Sequence, residues 1–162
     1  MPIREMAATR TWTAGALIVA CALGVTHAAF SFYWATGGEA LAWSLGTDLV
    51  DRFRGREWLL VPIGVTKLSA AVAPVILARA DWPLRTMTRP VCWAAAGILV
   101  GWGGLNTVVA HLVLLGAIQP EGGFDRAGMI GHAYLWDPLF LVWGIALAMG
   151  LVASRKQTKR GI

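Results

Sequence analysis

Charged residues are scarce in this sequence. Asp, Glu, Lys and Arg make up only 14% of its 162 residues, whereas about a quarter is usual in a soluble domain. Apolar residues reach 57%, and the mean hydropathy is +0.60. This composition excludes disordered, collagen-like and disulfide-rich classes of protein. We therefore expect an integral membrane protein.

Familiar catalytic motifs are also missing. The sequence has no Gly-x-x-x-x-Gly-Lys-Ser/Thr loop, no Gly-x-Ser-x-Gly elbow, no His-Glu-x-x-His pair and no dinucleotide fingerprint. Its two cysteines, Cys21 and Cys92, form no Cys-x-x-Cys pair, and their expected depths in a membrane differ by roughly 12 Å, too far for a disulfide. These features favour a non-enzymatic protein.

Four apolar segments are long enough to cross a bilayer, which takes about 20 residues. They cover about residues 12–34, 58–78, 91–118 and 129–153. No segment alternates with the period of two that is typical of strands. The sequence therefore predicts an all-α fold: a single transmembrane domain, built as a polytopic four-helix bundle in a lipid bilayer.

Basic residues favour one side of the predicted bundle. That side holds Arg4, Arg10, Arg79, Arg85, Arg89, Arg155, Lys156, Lys159 and Arg160. The other side holds only Arg52, Arg54, Arg56 and Arg126, with most of the acidic residues. Because basic loops stay in the cytoplasm, both termini are predicted to be cytoplasmic in a multi-pass protein of a bacterial plasma membrane. The net charge of +5 belongs to these flanks, so nucleic acid is not an expected partner.

Two segments have alternative interpretations. The first apolar run is either a retained helix or a secretory signal cleaved after Thr26-His27-Ala28; its continuation through residues 30–33 favours the retained helix. In the loop of residues 35–57, Leu41, Leu45 and Leu49 recur every four residues. This spacing indicates either a short interfacial helix or an apolar loop.

Polar residues inside the apolar segments are the main indication of function, because each is costly in a bilayer. Four of them lie roughly 10 to 13 Å below the less basic face: His27, Lys67, His111 and Asp137. Asn106 lies deeper and His132 shallower. Since an unpaired charge is costly there, Lys67 and Asp137 are expected to face inward and interact. Pro138 removes a backbone donor and predicts a kink beside Asp137.

Four interpretations of this cluster are open. The first is purely structural, with polar side chains bonding helix to helix. The second is a pocket for a small ligand or ion, open to the less basic side. The third is haem ligation by His27 and His111 in an electron-transfer protein, and the fourth is proton-coupled transport by Asp137 and a histidine. The pocket needs no cofactor, and its candidate ligand-binding residues are His27, Lys67, Asn106, His111, His132, Trp136 and Asp137.

Small residues four apart predict close helix approach, within the bundle or in a homodimer. They occur as Gly24-x-x-x-Ala28, Gly97-x-x-x-Gly101 and Gly144-x-x-x-Ala148.

Two motifs carry a family resemblance. They are Phe32-Tyr33-Trp34-Ala35-Thr36-Gly37-Gly38 and Gly131-His132-Ala133-Tyr134-Leu135-Trp136-Asp137-Pro138. With them the sequence resembles a family of small four-helix bacterial membrane proteins, the domain of unknown function 3995. The resemblance implies a four-span bundle and points to His132, Trp136 and Asp137, without an activity. The family often has a histidine three residues before Trp34, where this sequence has Ser31.

The second motif also has a geometric interpretation of its own. In an α-helix His132 and Trp136 share a face, while Asp137 points about 100° away. His132 and Trp136 are therefore expected at the mouth of a pocket and Asp137 in the interior; alternatively, Gly131 and His132 only begin the helix near the lipid headgroups.

Overall fold

The computed structural model describes the backbone of residues 3–158 and the side chains of residues 15–154. Its α-helices are α1 (Ile3–Ala35), α2 (Thr47–Phe53), α3 (Leu60–Arg79), α4 (Arg85–Leu114), α5 (Arg126–Gly131) and α6 (Asp137–Thr158). Two 3-10 turns, Ala42–Leu45 and Glu57–Leu59, and one π-helical turn, His132–Trp136, lie between them. These residues include no strand, so the predicted all-α class is confirmed.

Four stretches are long and apolar enough to cross a membrane: Gly15–Ala35, Glu57–Arg79, Arg85–Leu114 and Arg126–Ser154. Their outer surfaces expose large apolar side chains, such as Ile98, Leu105 and Val108 of α4. A surface of this kind matches lipid and not water. The chain is a membrane protein. The predicted flanking charges Arg4 and Arg10, and those of residues 155–160, lie outside the described side chains.

The four long helices form an open bundle. Helix α1 packs along both α3 and α6, and α6 also packs along α4. Helices α3 and α4 have few contacts with each other, although only residues 80–84 connect them. A cleft therefore separates α3 from α4 on one side of the bundle.

Glycines allow the closest helix contacts. A Cβ atom at Gly24 would overlap Ala71 of α3 and Trp143 of α6, and one at Gly144 would overlap Val100 of α4. Trp143, Leu147 and Leu151 are almost completely buried at these contacts. By contrast, Gly97 and Gly101 have no neighbouring atom within 4 Å of an added Cβ. Two of the three small-residue pairs therefore serve the bundle, and the third faces outward.

Arg89 anchors the end of the bundle where α3 and α4 connect. Its guanidinium donates to Ser154 Oγ at 2.9 Å and to the Leu151 carbonyl at 2.6 Å. The same group lies 4.7 Å from the centroid of the Trp82 ring. Arg89 thus satisfies polar groups near the end of α6 and joins α4 to it.

Residues 36–56 and 115–125 form what we call the loop end of the bundle. The first loop contains helix α2, and it folds back on α1 because Trp34 Nε1 donates to the Ala40 carbonyl at 2.9 Å. Asp125 ties the two loops together. Its Oδ1 accepts from the amides of Ala127 and Gly128, capping α5, while its Oδ2 accepts from the Thr47 amide at 2.9 Å. These amides, that of Thr47 foremost, lower the pKa of Asp125.

Candidate functional site

A cavity of about 560 Å³ lies under the loop end, between the first loop and the long helices. We call it the loop-end cavity. Its volume is in the range usual for sites that bind small molecules. Most of its wall is apolar and includes Leu45, Val50, Phe53, Leu60 and Phe140. Polar side chains are confined to its rim and its base.

The rim is formed by charged residues, of which Glu39 and Arg54 are exposed and Glu57 is half-buried. Glu39, Arg54 and Glu57 line it. The Arg54 guanidinium pairs with Asp51 at 2.8 Å, and the Glu57 carboxylate accepts from the Gly55 amide at 2.7 Å. Arg54 and Glu57 therefore each have a partner close to them in the chain.

The base of the cavity holds Lys67, which α3 directs toward α1. Its Nζ lies 3.0 Å from Ser31 Oγ and 3.2 Å from His27 Nδ1. His27 and Ser31 are one helical turn apart, so both face α3. Both are more than nine-tenths buried, with 4% and 1% of their surface exposed. Two neutral groups therefore receive hydrogen bonds from the lysine.

The contact with Lys67 fixes the hydrogen positions on His27, since an ammonium group only donates. Nδ1 must accept, so Nε2 carries the ring hydrogen. Nε2 is buried and makes no hydrogen bond of normal geometry, although the backbone of Trp136 is close to the ring. The ring itself packs on Phe140, with centroids 3.9 Å apart.

His132 and Asp137 form the second polar pair of the cavity. His132 Nδ1 lies 2.8 Å from Asp137 Oδ2, and His132 Nε2 lies 3.4 Å from the Leu45 carbonyl. Both partners accept hydrogen bonds, so a protonated ring with two N–H donors satisfies both. The Asp137 side chain is only 2% exposed, which makes His132 its essential partner.

The π turn explains why these two residues meet. A π-helix joins residues five apart, whereas an α-helix joins residues four apart. Residues 132 and 137 therefore face the same side. The expectation that Asp137 points away from the face of His132 and Trp136 was wrong for His132, because it assumed α geometry. The turn ends two residues before Pro138, the residue from which a distortion was predicted.

The same turn holds the first loop in place. Trp136 Nε1 donates to Ser44 Oγ at 2.9 Å, and Ser44 Oγ donates to the Leu41 carbonyl at 2.6 Å. Gly131 packs against the Ser44 backbone so closely that a Cβ atom would overlap its carbonyl. The first loop, which forms the roof of the cavity, is thus attached directly to the helix that supplies Asp137.

Five of the seven candidate residues line the cavity: His27, Lys67, His132, Trp136 and Asp137. The expected direct pairing of Lys67 with Asp137 was wrong, since no ion pair joins them among residues 15–154. Each has a nearer partner, because Ser31 and His27 approach Lys67 from α1 and the π turn brings His132 to Asp137.

Asn106 and His111 do not line this cavity. His111 Nδ1 lies 2.7 Å from the Thr107 carbonyl on its own helix, and its ring packs on Tyr134 at 4.8 Å. Within residues 15–154, no three His, Cys, Asp or Glu side chains gather as metal ligands. Haem ligation by His27 and His111 stays a prediction.

Three important residues were missed from the sequence as site residues. Ser31 binds Lys67, Ser44 binds Trp136, and Phe140 stacks on His27. The spacing of Ser31 from His27 and of Phe140 from Trp136, four residues in each case, was a usable signal. Ser44 lies 92 residues from its partner, and no local pattern indicates such a contact.

The profile of one protein family matches residues 24–147, and that family is described as "Protein of unknown function (DUF3995)". The match covers α3 and α4 completely and parts of α1 and α6, and it includes every residue that lines the cavity. No curated protein and no solved structure is significantly similar to the chain.

Proposed function

Because this chain belongs to the DUF3995 family, whose description assigns no activity, we propose a function from the site itself: a non-enzymatic membrane protein that binds a small ligand in the loop-end cavity. The observation that carries this proposal is the position of Lys67. Its ammonium group borders a cavity of about 560 Å³ and forms no ion pair with a carboxylate of residues 15–154.

A purely structural role for the polar cluster explains less. Structural polar contacts between membrane helices satisfy one another in a closely packed interior. Here the cluster borders open space, and the two charged groups at its base each bind a different neighbour. A π turn, which is frequent at functional sites, supplies one wall of that space.

The proposal includes an orientation. The loop side of the predicted bundle holds four basic residues, whereas the opposite side holds nine, among them Arg79, Arg85 and Arg89. By the positive-inside rule, both termini lie in the cytoplasm of a bacterial cell and the cavity lies in the non-cytoplasmic half of the plasma membrane. A homodimer stays a further prediction, with Gly97 and Gly101 on the available outward face of α4.

Filling the cavity tests this function. Ala42 lines the cavity, so Ala42→Trp should occupy part of it. Leu115→Trp is a matched control, because Leu115 is 80% exposed and lies in the other loop. We expect native mass spectrometry of the purified protein to detect a small molecule in the natural protein and in Leu115→Trp, and its loss in Ala42→Trp. The same bound molecules in all three proteins would contradict the proposal.

A further inference from the structure

Lys67, at the base of the loop-end cavity, has more N–H donors than the acceptors that contact it. Lys67 has three N–H groups, and His27 Nδ1 and Ser31 Oγ accept two of them. The third N–H is available to the cavity, which Lys67 lines. A ligand that accepts a hydrogen bond meets this need.

The charges at the base of the cavity also favour a ligand that accepts hydrogen bonds. Asp137 is the carboxylate at the base, and His132 already binds it at 2.8 Å. Lys67 has a neutral partner in Phe140, whose ring centroid lies 5.5 Å from Nζ. A cation–π contact of this kind stabilises the ammonium group and leaves its charge in place. Within a bilayer, a lysine without a counter-ion is costly, so an anion at this point is strongly favoured.

The walls above Lys67 determine the remainder of the ligand. They are mostly apolar, and they extend to both sides of the cleft between α3 and α4. Ile63 lines the cavity from α3 and Trp102 lines it from α4, with 38% and 63% of their surface exposed. The cavity therefore reaches the lipid-facing surface of the bundle. An apolar group can extend through this cleft into the bilayer without crossing water.

We infer that the loop-end cavity binds an amphipathic organic anion, with its carboxylate or phosphate head at Lys67 and its apolar body along the cavity wall toward the α3–α4 cleft. This inference rests on the proposed function and names its ligand class. Lys67 supplies charge recognition, and His27 and Ser31 hold its ammonium group in place. The cleft supplies the route by which the apolar body enters.

Four probes with one tail and different heads test the inference: dodecanoate, dodecyl phosphate, dodecanol and dodecyltrimethylammonium. Each is titrated against the full chain in a mild non-ionic detergent, and bound probe is measured by native mass spectrometry. We expect at least one of the two anions to bind about tenfold or more tightly than dodecanol and the cation, because only an anion accepts a charge-assisted hydrogen bond from Lys67. Whichever anion binds more tightly identifies the head group.

Lys67→Met should reduce binding of the preferred anion to the level of dodecanol and leave dodecanol binding unchanged, while Lys67→Arg keeps the preference for anions. Ser69→Met is the control, since Ser69 is an exposed residue of α3 outside the cavity. Dodecanol that binds as tightly as both anions, with all four probes lost in Ala42→Trp, would overturn the inference and leave the proposed function intact. If all four probes bind and Ala42→Trp does not alter their binding, the inference and the proposed function are both overturned.

Discussion

His132 Nδ1 lies 2.8 Å from Asp137 Oδ2, five residues farther along the same continuous helix. This contact depends on the π turn of residues 132–136, which places the two side chains on one face. His132 is the partner of the buried Asp137 carboxylate. The same turn also holds the first loop, which roofs the loop-end cavity, through the hydrogen bond from Trp136 to Ser44. The π turn, the His132–Asp137 pair and the shape of the cavity therefore depend on one another.

Removing the histidine of this pair should destabilise the protein. His132→Ala leaves the Asp137 carboxylate buried without its partner, and we expect a loss of about 3 kcal/mol in the free energy of unfolding. Unfolding by a denaturing detergent, followed by circular dichroism, measures it. The double variant His132→Ala/Asp137→Ala should recover part of the loss, because the unpaired charge is gone. A change under about 0.5 kcal/mol in His132→Ala, the level of an ordinary surface substitution, would show that the carboxylate finds another partner.

A methyl group at Gly131 should displace the first loop. Its Cβ would overlap the Ser44 carbonyl oxygen, and overpacking of this kind costs about 1 to 3 kcal/mol. Gly97→Ala is the matched control, because nothing lies within 4 Å of a Cβ there. We expect faster proteolysis of residues 36–56 in Gly131→Ala, and none of this effect in Gly97→Ala. Equal proteolysis of both variants would contradict the close approach of Gly131 and Ser44.

Asp125 should make the stability of the loop end depend on acid pH. Backbone N–H donors lower its pKa in the folded protein below the ordinary value of 3.8. Its stabilising effect is therefore complete above that ordinary pKa and is lost as the pH falls through the lowered one. Asp125→Ala should remove this pH dependence and cost about 1 kcal/mol, as other N-cap losses do. Hydrogen exchange of the α5 amides between pH 2 and 6 measures both effects; an identical acid response in the variant would contradict the assignment to Asp125.

Cysteine labelling tests the proposed orientation. In a background lacking Cys21 and Cys92, Glu39→Cys at the loop end should react with a membrane-impermeant maleimide in intact cells. Asp81→Cys, in the turn between α3 and α4, should react only after the cells are opened. Both positions are exposed, so the pair differs mainly in the side of the membrane that it reports. Labelling of Asp81→Cys alone in intact cells would reverse the proposed topology.

Much of the framework follows from sequence because it depends on composition and period. Long apolar runs predict helices for lipid-facing segments, and the cost of burying charge predicts that His27, Lys67 and Asp137 face inward. Which polar side chains pair with one another could not be derived in this way. One extra residue in the turn before Pro138 rotates Asp137 toward His132, and periodicity computed for a regular α-helix gives the wrong face.

The contacts of the first loop were beyond prediction for a different reason. Ser44 and Gly46 meet Gly131 and Gly128 across more than 80 residues of chain. Such contacts depend on the final docking of the loop onto the bundle, and no local propensity encodes them. Ser31 stands where the family often has a histidine. Its hydroxyl, one turn after His27, accepts a hydrogen bond from Lys67, so the serine keeps an acceptor at that position.

Because of the cleft between α3 and α4, the concentration of ligand that sets occupancy of the cavity is its concentration in the bilayer. A molecule that enters from the bilayer is sampled by its mole fraction among the lipids and not by its molarity in the buffer. Adding empty vesicles at constant total ligand should therefore lower occupancy, even though no competitor has been introduced. Occupancy in a cell would follow the abundance of the ligand relative to the surrounding membrane, so the protein would respond to bilayer composition itself.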